Sequence, residues 1–153
     1  MSLLNIFNIS GSGLSAQSLR MNTIASNISN AETTASSVDQ VYRARKPVFT
    51  ANDTAFSGFL SDAQNEYGGF AGAQQMSGVQ VAGVVEDQTP LPKRFEPDHP
   101  MADEEGYVTY PNVNVVEEMA DMISASRAYQ MNASMMESGK SMMERLLTVG
   151  KSS

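Results

Sequence analysis

Along the first segment of the chain the bulky apolar residues Phe7, Leu14, Met21 and Ile28 recur every seven positions, with Leu3 before them and Ile24, Ala25 and Ala31 alongside. On a helix that spacing draws one continuous stripe, which predicts a helix from Ser2 to about Ala31. Gly11 and Gly13 interrupt it, each at about 1 kcal/mol relative to alanine, so a kink or break is expected near Ser10 to Ser12, with the firmer helix following. Past Asn30 the run Thr33-Thr34-Ala35-Ser36-Ser37 has no period, and the helix is expected to stop.

The last segment, Val115 to about Val149, carries a second and stronger helical pattern. Val115, Met119, Met122, Ser126, Tyr129, Ala133, Met136, Met143 and Leu147 follow steps of three, four or seven and form a seam. A second line runs beside it through Val116, Ala120, Ile123, Met131, Met135 and Met142. The two together make an apolar face wider than one antiparallel partner helix covers. Asn114 followed at the third place by Glu117 fits a capping box, and Glu118 and Asp121 keep the early turns acidic. Lys140, Arg145 and Lys151 sit late, and Gly150 offers a stop. A helix of that length spans ~50 Å, longer than a globule of this size needs, so it must lie against other helices. Only one other long helix is predicted in the chain, so if it occupies the first seam, the second line is left for a contact with another molecule. Seven of the eleven methionines fall between Met119 and Met143, and unbranched thioethers suit a surface whose neighbours differ.

Between the helices the pattern changes. Nine of the eleven aromatic residues lie between Val38 and Pro111, and strands are expected over Gln40 to Thr50, interrupted by Pro47, over Val79 to Glu86, and over Gly106 to Tyr110. Ala51 to Gly78 is rich in Gly, Ser, Asn and Gln and reads as a mobile loop, because it holds too little apolar area to fix one conformation. Pro90, Pro92, Pro97 and Pro100 keep the next connection extended and free of helix. The expected fold is thus mainly α with a small β region: a helical segment over residues 1–33, a β and loop middle over 34–111 with its flexible part at 51–78, and a long helix over 112–150.

Composition narrows the function. A net charge of −7 with ten scattered Lys and Arg argues against nucleic acid as a partner. Cysteine is absent, which excludes disulfides, thiolate metal sites and cysteine nucleophiles. The start lacks any basic residue before Arg20 and its apolar run is broken by Asn5 and Asn8, so no cleaved signal peptide is expected and any export needs another route. No stretch approaches the ~20 apolar residues of a membrane span. His99, between Asp98 and Pro100, has no second histidine to complete a metal set and reads as a surface residue. Asp103, Glu104 and Glu105 lack the ligand alternation of a calcium loop and read as a solvated turn ending at Gly106. Gly11-Ser12-Gly13 is too short for a phosphate loop and follows no strand. Arg43, Arg45 and Lys46, with Tyr42 and Phe49, are the one basic patch, expected to meet carboxylates of a neighbouring molecule. No catalytic, cofactor or metal residue emerges, and the expectation is a protein that is not an enzyme.

Two stretches then read as motifs. Ser12 to Thr33, with Asn27-Ile28-Ser29-Asn30-Ala31 at its centre, resembles the N-terminal signature of bacterial flagellar rod and hook proteins, and Pro111 to Asn132, with Asn112, Asn114, Glu117 and Glu118, resembles the C-terminal signature of that family. Tyr42 to Phe49 and Asp98-His99-Pro100 before Gly106-Tyr107-Val108 extend the likeness towards a subunit of the proximal rod. The resemblance implies a structural subunit of the basal-body rod in the periplasm, exported by the flagellar type III pathway without a cleaved signal. It implies self-association and contacts with proximal and distal rod subunits, the adaptor to the MS ring and the export apparatus. It also implies that the terminal helices pair as an antiparallel coiled coil lining the rod's inner tube. The apolar spacing offers Leu14, Met21, Ile24, Ile28, Val115, Val116, Met119, Met122, Ile123, Tyr129, Met131, Met135, Met136, Met142, Met143 and Leu147 for packing between helices or subunits. The alternative is a non-polymerising adaptor or export-chaperone-like module that uses the same helices to hold one partner.

Overall fold

A computed structural model describes residues 3–35, 38–51 and 78–151 of the chain. Two helices, α1 (Leu3–Ser29) and α2 (Val115–Lys151), bracket four short strands, β1 (Arg45–Ala51), β2 (Val79–Glu86), β3 (Lys93–Phe95) and β4 (Tyr107–Thr109). The architecture is mainly helical, with two two-stranded sheets, β1 with β2 and β3 with β4. The glycine-rich stretch expected to be a mobile loop lies, from residue 52 to 77, outside the described residues. None of the described helices is long and apolar enough to cross a membrane.

The described residues fall into two compact units, one drawn from residues 3–16, 49–51, 78–81 and 129–151, the other from residues 17–35, 38–48 and 82–128. In the first unit, α1 and α2 meet through glycine. A Cβ on Gly139 would lie 3.6 Å from the Phe7 ring and 3.8 Å from Ile6, and one on Gly11 would lie 3.8 Å from Met136 Cε. One on Gly13 would lie 2.9 Å from Asn132 Nδ2. Residue numbers fall on α1 as they rise on α2, so the two segments run antiparallel. This explains why α1 is unbroken from Leu3 to Ser29, contrary to the kink or break expected at Ser10 to Ser12. The glycines weaken the helix intrinsically, but they let the two backbones come close enough for side chains to reach across. Gly150 likewise does not stop α2, which runs on to Lys151.

The three glycines make separable predictions. Gly139→Ala and Gly11→Ala meet only ordinary van der Waals neighbours, so each is expected to stabilise the chain by up to about 1 kcal/mol through helix propensity. Gly13→Ala forces Asn132 aside and is expected to gain nothing. Urea midpoints of the three variants check this, and equal gains at all three positions would contradict the close approach at Gly13.

In the second unit the largest fully buried side chains are only Val108 and Asn27, and the rest of the core is small: Ala31, Val41, Ala44 and Ala125, with Ile24 the bulkiest. β1 begins at Arg45, later than the strand expected from Gln40, because Val38–Gln40 forms a single 3-10 turn. The N–H groups of Ala44 and Arg45 then go to the side chains of Asn112 and Asn27. Pro47 is tolerated inside β1 because each strand of a two-stranded sheet has a free edge. β2 spans the expected Val79 to Glu86.

β3, inside the stretch expected only to be extended, pairs antiparallel with β4 in the register Lys93 with Thr109, Arg94 with Val108 and Phe95 with Tyr107. The turn before β4 is built by Asp103, whose Oδ1 accepts the N–H groups of Glu105 and Tyr107 at 3.1 and 2.7 Å. Gly106 there has φ +81°, and a Cβ on it would sit 3.0 Å from the Phe95 ring, so glycine is required on both counts. The acidic stretch is thus a self-bonded turn. His99, half-buried, accepts the N–H of Met101 at its Nδ1, 3.1 Å away.

Candidate assembly interface

Asn27 is the polar centre of the second unit. It is 1% exposed, and its amide makes four hydrogen bonds. Nδ2 donates to the Arg45 carbonyl at 2.8 Å and to Glu118 Oε1 at 3.0 Å. Oδ1 accepts from the Arg45 N–H at 2.9 Å and from the Tyr42 hydroxyl at 2.8 Å. One helical side chain therefore takes both backbone groups of the first residue of β1, as a neighbouring strand would, and also holds α2. A buried amide can persist only when its bonding capacity is filled in this way.

Asn112 repeats the device at the other motif. Its Oδ1 accepts the Ala44 N–H at 2.8 Å, while Nδ2 donates to the carbonyls of Asp87 and Thr89 and to the Thr89 hydroxyl. Asn114 caps α2, its Oδ1 facing the N–H groups of Val116 and Glu117 at 3.2 and 3.5 Å. Asn30 ends α1 by donating to the Ser26 carbonyl at 2.8 Å, next to buried Ala31. The motif residues thus fix the corners of the unit.

The basic patch, expected to meet carboxylates of a neighbouring molecule, finds carboxylates within the chain. Arg45 pairs with Glu86 at 3.1 Å and Lys46 with Asp87 at 2.9 Å, while Arg43 donates to the carbonyls of Asp87 and Thr89. These carboxylates sit at the end of β2 and just beyond it, and the sheet brings them alongside β1.

Two carboxyls titrate away from their ordinary values. Hydrogen bonds from the Thr89 N–H, the Lys46 ammonium and the Thr89 hydroxyl pull Asp87 from 3.8 down to about 2. Burial lifts Glu118 above 4.5, with the Asn27 bond pulling the other way. Asp87 therefore favours folding fully above its unfolded value, and that contribution is lost as pH falls through about 2. Glu118 works in the opposite sense: its cost to folding appears as pH rises through 4.5 and beyond. Urea titrations across this range should show Asp87→Asn flattening the acid limb and Glu118→Gln removing the decline above it. An unchanged acid limb in Asp87→Asn would exclude the first assignment.

The residues expected at helix contacts divide by exposure. On α1, Ile24 is buried and Leu14, Met21 and Ile28 are half-buried. On α2, Met122, Met136 and Met143 are half-buried, whereas Val115, Val116, Met119, Ile123, Tyr129, Met131, Met135, Met142 and Leu147 are exposed. The positions of α2 that face inward are Glu118, Ala125, Asn132 and Gly139, seven apart, half-buried at Asn132 and buried at the other three. Opposite them α1 sets Ile6, Gly13, Arg20 and Asn27, also seven apart, with Arg20 bonded to Asp121 at 2.8 Å. Apolar periodicity does not mark this line, because its residues are small or polar; the seven-residue spacing is its only signal.

Among the described residues, most bulky side chains of α2 are therefore exposed, and Met122, Met136 and Met143 are half-buried. Among the described residues no cluster of three or more acidic or histidine side chains is arranged to hold a metal ion.

Known proteins resemble this chain along nearly its whole length. Residues 7–35 match the family described as flagella basal body rod protein, and residues 104–149 match that described as flagellar basal body rod FlgEFG protein C-terminal. The flagellar basal-body rod protein FlgC of Salmonella typhimurium is 44% identical over 99% of this chain and 100% of its own length. Those of Yersinia enterocolitica and Borreliella burgdorferi are 43% and 38% identical, over 99% and 97% of this chain and 100% and 98% of their own lengths. With Asn27, Asn112 and Glu118 at its structural corners and relatives matched along its whole length, this chain belongs to the FlgC family of flagellar basal-body rod proteins, structural subunits of the rod.

Proposed function

We propose that this rod subunit is non-catalytic and polymerises through its terminal helices, which wind as an antiparallel coiled coil along the inside of the rod while the middle faces outward. In that position the helices line the export channel and transmit torque along the rod axis. Residues 1–33 and 112–150 make one helical core domain, and 34–111 form the outward part. The neighbours are further copies of the chain, other proximal and distal rod subunits, the adaptor to the MS ring and the export apparatus. The subunit reaches the periplasm through the flagellar type III pathway.

The observation that carries this reading is the inversion on α2. Glu118, Ala125, Asn132 and Gly139 line its inward side with Met136 beside them, whereas Val116, Ile123, Met131, Met135, Met142 and Leu147 are exposed. Fully burying each such side chain stabilises a contact by about 1.5–3 kcal/mol, so a neighbour that covers several binds firmly even after the losses of association. Mixing the purified chain with other rod subunits and following sedimentation tests it. Growth into long particles is expected, whereas arrest at one small defined complex would point to an adaptor instead.

A further inference from the structure

We propose that Met131, Met135 and Met142 form a peroxide-sensitive modification site that controls whether a free subunit can assemble. The proposal rests on the reading that this face of α2 is buried on assembly. The three residues lie four and seven positions apart on α2, within 40° of one another around the helix at 100° per residue, and are 70%, 62% and 56% exposed. Leu146 and Val149 continue the same face and are also exposed. Met136, roughly a third of a turn around the same helix, is half-buried, with its Cε 3.8 Å from the point a Cβ on Gly11 would occupy. One helix therefore carries both the reactive thioethers and an internal reference that α1 shields.

The chemistry needs only hydrogen peroxide. A lone pair of the thioether sulfur attacks one peroxide oxygen, the O–O bond breaks, and the sulfur becomes a sulfoxide while the other oxygen leaves as water. Sulfur is oxidised by two electrons and peroxide is reduced by two. The product replaces a flexible apolar tip with a strong hydrogen-bond acceptor. When the face is pressed against another apolar surface that acceptor has no donor, so each sulfoxide is expected to weaken the contact roughly ten-fold. Once the face is covered, peroxide no longer reaches it. The modification thus discriminates free subunits from assembled ones, and a methionine sulfoxide reductase reverses it.

The test treats the full-length purified chain with hydrogen peroxide, maps sulfoxides by peptide mass spectrometry and measures assembly with rod subunits by sedimentation. Faster oxidation at Met131, Met135 and Met142 than at Met136 is expected, together with at least a ten-fold loss of assembly that the reductase restores. The triple variant Met131→Leu, Met135→Leu, Met142→Leu should lose far less assembly to peroxide than the parent. Oxidation of Met136 at the same rate, unimpaired assembly of the oxidised chain, or a triple variant as peroxide-sensitive as the parent would each overturn the proposal. A Met131→Lys control separates the two readings. If oxidised chain assembles while Met131→Lys does not, the modification site is wrong and the assembly face stands. If Met131→Lys also assembles, the face is not buried and both readings fall.

Discussion

Replacing Asn27 with leucine is expected to destabilise the chain by roughly 3–5 kcal/mol, a large part of the stability of a small domain. Leucine has the branching of asparagine but is somewhat bulkier, so no cavity opens and the loss comes from the missing hydrogen bonds together with some crowding. The N–H and carbonyl of Arg45, the Tyr42 hydroxyl and the Glu118 carboxylate all lose a partner at once. Each buried group left unpaired costs about 1–3 kcal/mol, and the total falls short of the sum because water and relaxation recover part of it. Urea denaturation reads the effect directly. Asn27→Asp supplies a control with a different signature, because it keeps both acceptor bonds and sets a second carboxyl against Glu118. That variant should regain stability as pH is lowered and the pair takes up a proton. A loss below about 1 kcal/mol in Asn27→Leu would mean that solvent reaches the node.

Met131→Lys should do the reverse, leaving the isolated chain intact and abolishing assembly. Met131 is the most exposed methionine of α2, so its own contribution to folding is small and the urea midpoint should move by no more than about 0.5 kcal/mol. In a packed interface the ammonium must be stripped of water without a partner, at several kcal/mol, which is at least a hundred-fold in affinity. Sedimentation with rod subunits and swimming of cells carrying the variant both report it. Normal motility together with normal particle growth would remove this face of α2 from any subunit contact.

What was legible in the sequence was whatever a local pattern encodes. The extent of α2 followed from apolar steps of three and four and from Asn114 ahead of Glu117, and β2 followed from a run of valines between polar punctuation. The kink at Gly11 and Gly13 did not materialise because intrinsic propensity assumes a helix surrounded by water, whereas both glycines face Met136 and Asn132. β3 was missed because three residues between Pro92 and Pro97 have no period of their own; β4 supplies their order. The partners of Arg45 and Lys46 were sought in another molecule because Glu86 and Asp87 lie some forty positions away, and only the pairing of β1 with β2 brings them near. Within the candidate site, bulky residues advertised the outward faces of α2, while the inward line of Glu118, Ala125, Asn132 and Gly139 carried no hydrophobic signal at all.

The bonds of Asn27 also prescribe an order in time. Its partners Tyr42 and Arg45 are 15 and 18 residues away, whereas Glu118 is 91 residues away. Closing the longer loop costs about 1.4 kcal/mol more in chain entropy than closing the shorter ones, roughly a ten-fold difference in the frequency of encounter. The corner between the end of α1 and the start of β1 is therefore expected to form first, with Glu118 closing the node afterwards. A residue that looks in the finished fold like a clamp between two helices begins as the hinge pin of a single turn.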